Sequence, residues 1–220
     1  IEDLMERDEF EFLAEDSRNL IGSMKMGADR IKGIIGSLRN FSRLDEANYK
    51  TVDIHEGIDS TLLILQHRLK SNFGRGTIRV DKSYQELPPA DCFPGLLNQV
   101  FMNVLSNAID AIEERVEGLE PEESDGFCDI AIATRQVESA EGEAQIEISI
   151  GDRGQGIKPE SLPHIFNPFF TTKPVGQGTG LGMSISYQII TQQHNGSLTC
   201  DSQWGEGTTF RIRIPIQQEA

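Results

Sequence analysis

The run Gly176-Gln-Gly-Thr-Gly-Leu-Gly182 places four glycines in seven positions. Glycine loses more conformational freedom on folding than any other residue, so such a run implies a backbone that must bend tightly. An amphipathic run, Met183 to Ile190, follows at once. A glycine turn that opens a helix aims backbone N–H groups and the positive helix end at one spot, which suits phosphate. Glycines also make plain loops, so the run gains meaning from two polar motifs before it: the pair Asn103/Asn107 and the stretch Asp152-Arg-Gly-Gln-Gly-Ile157.

The asparagine pair sits in a segment, Leu96–Glu114, that reads as a helix. At 100° per residue Leu97, Phe101, Val104, Leu105, Ala108 and Ile112 share an apolar face, while Gln99, Asn103, Asn107 and Asp110 share the other. Asparagine is a poor mid-helix residue because its amide competes for backbone groups. Two of them one turn apart fit a lined pocket, and an amide oxygen can ligate Mg²⁺. An ordinary solvated face fits that helix equally well.

Asp152 ends an apolar strand and precedes Gly154 and Gly156. A carboxylate there can accept a hydrogen bond from an exocyclic amine such as that of adenine, with glycines letting the backbone approach a flat ring. A surface turn uses the same residue types. Phe166-Asn-Pro-Phe-Phe-Thr-Thr-Lys173 carries three phenylalanines in a loop-like stretch. Phe166 and Phe169 read as an apolar plug for the loop, and Lys173 stands where it can reach a terminal phosphate.

These motifs need elements to hold them. Residues 17–45 carry Ile21, Met24, Ala28, Ile31, Ile35 and Leu38 at alternating spacings of three and four, a helix broad enough for a bundle. His55–Arg68 reads as a second helix and residues 77–81 as a strand. Pro88, Pro89 and Pro94 mark a loop, and residues 118–126 an acidic connection expected to be mobile. Asp129–Val137 and Gln145–Gly151 alternate as strands. Residues 158–180 form a long loop, Met183–Gln193 a helix, and Ser197–Ser202 with Thr208–Ile214 a closing hairpin. The pattern is α+β.

Composition bounds the function. The chain has 220 residues and a net charge of −15, which argues against a nucleic-acid partner, since that needs clustered Lys and Arg. The charge is concentrated: residues 1–16 carry eight acids and one base, and 113–125 seven acids and one base, so the remainder is nearly neutral and compatible with an anionic nucleotide. Both acidic stretches read as solvated segments. No apolar run approaches the roughly 20 residues that span a bilayer. Cys92, Cys128 and Cys200 lack metal-ligand spacing and fit small packing residues in a reduced, cytoplasmic compartment. The chain begins at Ile1, so a fragment or a processed product is expected.

The ordered set of motifs resembles the ATP-binding domain of sensor histidine kinases, within the gyrase, Hsp90, histidine kinase and MutL superfamily. The matching stretches are the N box Asn98–Ala108, the G1 box Asp152–Ile157, the F box Phe166–Lys173 and the G2 box Gly178-Thr-Gly-Leu-Gly182. The resemblance implies a Bergerat-type α/β sandwich, a mixed and largely antiparallel sheet backed by helices, preceded by a long bundle helix. It implies ATP and Mg²⁺ as cofactors, with Asn103 on the metal and Asn107 beside the phosphates. Asp152 would read the adenine amine, Gly154 and Gly156 would pack near the base, and Thr208 would support Asp152 through a water. Lys173, Gly178, Thr179, Gly180, Leu181 and Gly182 would lie along the phosphates, and residues 158–180 would form a lid that is mobile without nucleotide. The chain would divide into an acidic segment 1–16, a partial dimerisation and phosphotransfer helix 17–50, and an ATP-binding catalytic domain 51–220.

The phosphoacceptor motif of that family, a His-Glu pair followed by a nearby proline, is missing. His55-Glu56 lacks the proline and reads as a capping or surface pair; His67 reads as helix surface, and His164 and His194 receive no catalytic role. The expected activity is transfer of the γ-phosphate to a histidine on a separate phosphoacceptor helix, for relay to the receiver domain of a response regulator, with a homodimer in the intact protein. Autophosphorylation of this chain is not expected. Asp110 stands where many relatives carry a phosphate-contacting lysine, so Arg115 or Lys173 is expected to supply that charge. Two other readings compete. One is an ATPase of the same superfamily, which would use a glutamate at position 103 to activate water, a task an amide cannot perform. The other is a nucleotide-binding interaction module without transfer activity.

Overall fold

The computed structural model describes residues 49–70, 77–117, 119, 123, 125–127, 129–173 and 179–217. The acidic segment 1–16, the bundle helix expected over 17–45, Cys128 and Gly178 lie outside the described residues.

Asp53 sets the first helix. Its carboxylate accepts from the His55 N–H at 2.8 Å, capping α1 (Ile54–Leu69). Ile58, Leu62, Leu65 and Leu69 then recur on the buried side. The second helix, α2 (Pro94–Val116), begins on a proline, whose missing N–H is no loss in a first turn. Leu97, Phe101, Val104, Leu105, Ala108, Ile109 and Ile112 form its buried stripe. Each of these side chains except Ala108 contributes about 1.5–3 kcal/mol on burial. The polar face of α2 is thereby turned away from the core.

Among the described residues, seven strands follow the same logic. Two short ones, β1 (Lys50–Val52) and β3 (Ala90–Cys92), pair antiparallel. The other five are β2 (Arg79–Tyr84), β4 (Asp129–Glu138), β5 (Ala144–Asp152), β6 (Ser197–Gln203) and β7 (Gly207–Pro215). They form one sheet in the order β2-β4-β5-β7-β6, antiparallel except for the parallel pair β2–β4. A parallel pair needs a long crossover, and α2 supplies it. Ile130 and Ile132, Ile146, Ile148 and Ile150, and Phe210, Ile212 and Ile214 alternate onto the helix-covered face. On the other face Glu147, only 3% exposed, is held by Arg135 and Arg213 at 2.7 Å each. That arrangement compensates a buried charge on both of its oxygens.

The architecture is the expected α+β sandwich with a mixed, largely antiparallel sheet. The differences are local. The strand expected at 77–81 runs from Arg79 to Tyr84, and the proline-marked loop contains β3, because Ala90–Cys92 pairs with β1. The last helix divides into an α-helical α3 (Gly182–Gln188) and a π-helical turn, Ile189–Gln193. His67 is exposed as expected, and His55 lies in the capping turn, its N–H bonded to Asp53, with a ring that is half-buried rather than on the surface. Its ring stacks on Tyr84 at 4.3 Å and its Nε2 meets Thr134 Oγ1 at 2.8 Å.

Candidate functional site

The polar face of α2, the end of β5, the loop after it and the start of α3 enclose a cleft of about 420 Å³. Asn103, Asn107, Asp152 and Gly156 line it, as do Lys173, Thr179, Gly180, Gly182 and Thr208. These positions come from segments far apart in sequence, and the fold brings them to one space. Gly154 and Leu181 are not among the lining residues. Nor is Gln99, which helical spacing put on the same face of α2.

Sheet register places Asp152. It lies opposite Thr208 on β7, and Thr208 lies opposite Ser202 on β6. The Asp152 carboxylate accepts from the Gly154 N–H at 2.8 Å and from the Thr208 backbone. Burial pushes its pKa up to about 6, against the pull of those two hydrogen bonds and of nearby Arg115. Thr208 thus supports Asp152 through its main chain, and its hydroxyl is engaged with Ser202 Oγ at 2.9 Å.

The turn after Asp152 is braced from two sides. Gly154 fits where a Cβ would lie 2.6 Å from Ala111 of α2, so its lack of a side chain serves helix contact. Gly156, at φ +75°, passes where a Cβ would lie 2.2 Å from the Gln203 carbonyl oxygen. Ser202 Oγ accepts from Ile157 N–H at 2.8 Å and donates to the Gly207 carbonyl at 3.0 Å. Arg115 donates to the carbonyls of Arg153 and Gly154, at 3.0 and 2.9 Å, and its guanidinium lies 3.9 Å from the Phe127 ring centre. It therefore clamps the Asp152 turn, and the expectation that it supplies charge to a phosphate is corrected.

At the other end Asn103 joins α2 to α3. Its Nδ2 donates to the Gly182 carbonyl at 3.0 Å and to Ser186 Oγ at 3.1 Å. With the N–H side so engaged, the amide oxygen is the end left to act as a ligand. Lys173 is the one basic side chain among the described lining residues, and its ammonium pairs with Asp110. Burial acts to raise the Asp110 carboxyl, but the bonds from Lys173 and Arg68 outweigh it and hold the group below the usual carboxylate range.

Of the loop aromatics, Phe166 packs on the core and lies 5.1 Å from the Tyr187 ring. Phe169 is no plug: it is 75% exposed at φ +66°, and its backbone abuts Gly180. The anchoring places belong to Ile165 and Phe166, and Phe170 lines the cleft. Ser106, Ala111 and Glu114 also line it, and extending the Asn103/Asn107 stripe by helical spacing would have found them. His194 is fully buried. Its Nε2 accepts from the Phe93 N–H at 3.1 Å and its Nδ1 lies 2.9 Å from the Ile189 carbonyl oxygen, so it ties the start of α2 to the π turn.

The family model described as "Histidine kinase-, DNA gyrase B-, and HSP90-like ATPase" matches residues 94–218. Sensory histidine kinase/phosphatase NtrB of Rhizobium leguminosarum bv. phaseoli is 32% identical over 210 residues, 94% of this chain and 51% of that protein. Sensor kinase CckA of Brucella abortus is 31% identical over 205 residues, 89% of this chain and 20% of that protein. The chain thus spans about half the length, or less, of these relatives. Among solved structures, the nucleotide-free catalytic domain of histidine kinase ThkA aligns with a TM-score of 0.58 at 24% identity, covering 77% of this chain and 97% of that one. A mycobacterial sensor histidine kinase, MprB, aligns at 0.57 and 23%, covering 78% and 100%. Both likenesses are of fold.

Proposed function

Because the chain belongs to the family of histidine kinase-, DNA gyrase B- and HSP90-like ATPases, we propose that it is the Mg-ATP-binding catalytic portion of a sensor histidine kinase. It transfers the γ-phosphate of ATP to a histidine on a phosphoacceptor helix, for relay to a response regulator receiver domain. The observation that carries this reading is the cleft itself, with a half-buried carboxylate at one end and an amide pair, a lysine and glycines at the other.

Asp152 accepts the adenine amine, and the fixed turn at Gly156 admits the ring. Asn107, Lys173, Thr179, Gly180 and Gly182 face the phosphates. Gly178 and Leu181 complete that glycine segment on family grounds. Asn103 holds Mg²⁺ through its amide oxygen. Mg²⁺ keeps several waters and takes few protein ligands beside the substrate's phosphates, so one amide oxygen is a sufficient protein contribution. When bound, the ion neutralises charge developing on the transferred phosphoryl group. The chain's own contribution is positioning: it fixes base and phosphates so that the terminal phosphorus meets an incoming imidazole.

Hydrolysis is the second reading, and one observation weighs against it. Glu114 is the only glutamate among the described lining residues, and its carboxylate is bonded to Gln155 beside the Asp152 turn. Position 103, which faces α3, holds an amide that cannot take a proton from water.

The test is incubation with γ-labelled ATP and Mg²⁺, with and without an added bundle domain carrying an acceptor histidine. Acid-labile label on that domain with little free phosphate is the expected result. Rapid phosphate release without labelled protein would favour hydrolysis. Binding of ATP without either would leave an interaction module.

A further inference from the structure

Side chains from three segments meet beside the phosphate end of the cleft, and the function proposed above uses only one of them. Asp110 of α2 pairs through Oδ2 with Lys173 of the loop, and through Oδ1 it accepts from Arg68 Nη2 of α1 at 2.5 Å. The same guanidinium nitrogen donates to Glu113 Oε2 at 2.6 Å. These groups are neither deeply buried nor freely solvated: Asp110 is 25% exposed, Lys173 26% and Arg68 34%. An ion pair at that depth is screened less than one on the surface.

The cation that a terminal phosphate would draw on is therefore already held by a carboxylate. To an ammonium group, a carboxylate and a phosphate offer the same chemistry, an anionic oxygen that accepts a charge-assisted hydrogen bond. Exchange between them would cost more if it stranded Asp110, because a carboxylate drawn partly out of water carries a desolvation penalty that a partner offsets. Arg68 removes that penalty. It contacts the other carboxylate oxygen and comes from a helix rather than from the loop.

We propose that Asp110 is a positioning residue that holds Lys173 in place of a phosphate while the cleft is empty and yields it to the terminal phosphate of ATP, with Arg68 compensating Asp110 throughout. The proposal rests on the nucleotide reading above. Its consequence is an internal competitor: ATP has to displace the Asp110 carboxylate, so the pair lowers affinity for ATP but not for a ligand without phosphate.

The experiment is calorimetric titration of the chain with ATP and, separately, with adenosine. Asp110→Asn tightens ATP by about 2- to 10-fold, the size of one partly exposed ion pair, and leaves adenosine unchanged. Arg68→Gln does the reverse, weakening ATP with adenosine unchanged, because a stranded Asp110 grips Lys173 harder. In a Lys173→Met background neither substitution alters ATP affinity. Weaker ATP binding in Asp110→Asn, an unchanged ratio of ATP to adenosine affinity, or the same effect with Lys173→Met overturns the proposal. Circular dichroism on each variant confirms that the fold is intact. Wild-type chain that binds no ATP overturns both this proposal and the reading beneath it, whereas ATP binding without the coupling overturns this one alone.

Discussion

The side-chain amide of Asn103 donates to the Gly182 carbonyl oxygen at 3.0 Å, which fastens the middle of α2 to the first residue of α3. The residue assigned to the metal is thus also a joint between two helices that line the cleft. Asn103→Asp removes both N–H donors and sets a carboxylate against that carbonyl. Ser186 Oγ, at 2.8 Å, still donates to the carbonyl, so the loss is that of the two Asn103 hydrogen bonds, about 1–3 kcal/mol together. The expected outcome is a lowered midpoint in denaturant together with impaired Mg²⁺-dependent transfer. An unchanged transfer rate would remove the metal role, and an unchanged midpoint the joint.

Asp152 should make opposite contributions to stability and to binding. Its folded pKa, about 6, lies above the ordinary aspartate value. The folded state therefore holds a proton that the unfolded state has lost, so the associated stability is full below roughly pH 4 and falls as pH rises through about 6. Asp152→Asn lacks that slope and should be more stable than wild type at pH 7.5, while losing preference for ATP over GTP. Urea midpoints at pH 4.5 and 7.5, with affinities for both nucleotides, check this. Retained ATP preference would refute the adenine assignment.

Two glycines of the cleft separate fold from function. Gly156→Ala forces a Cβ to 2.2 Å from the Gln203 carbonyl at a positive φ, so a loss of more than about 2 kcal/mol is expected. At Gly182 the nearest atom to an added Cβ is Asn103 Cγ at 3.5 Å, an ordinary contact. Gly182→Ala should therefore keep its melting temperature and change ATP affinity alone. Thermal melts paired with titrations decide it, and equal destabilisation of both variants would contradict the geometry.

His194 should remain neutral below the ordinary histidine range. Burial lowers its pKa and outweighs its bonds to Ile189 and Phe93. Because the folded value is depressed, the contribution to stability is present above about 6.5 and is lost as pH falls through the folded value. The Phe93 N–H needs an unprotonated Nε2, which puts the proton on Nδ1 toward Ile189. Nitrogen chemical shifts of the ring through an acid titration should show that tautomer; a ring titrating at an ordinary value would contradict it.

Much of the cleft was legible because its residues break local rules. Asparagines in a helix, an aspartate closing an apolar strand and clustered glycines each conflict with local preference, and the fold brings them together. What stayed hidden depends on partners distant in sequence. Ser202 reads as an ordinary strand residue, yet the β6–β7 pairing sets its hydroxyl between Ile157 and Gly207. Arg68 reads only as the last residue of a helix, and packing of α1 on α2 brings it to Asp110. Phe169 departs from the expectation that an aromatic side chain in a loop is buried: its backbone is left-handed and its ring is exposed, features that a run of residue types does not show.

The bracing of the turn at Gly156 divides the labour of recognition. On the proposed reading, identity of the base is assigned to a part fixed in advance by strand pairing, with Gln203, Ser202 and Gly207 as its mould. Grip on the phosphates is assigned to Lys173, whose carrier is a loop. The two properties should then be separable: substitutions at Lys173 should scale affinity for ATP and GTP together and leave the preference between them untouched. Titration of Lys173→Met with both nucleotides tests that separation. A chain built this way can retune how tightly it holds its fuel without relearning which fuel to accept.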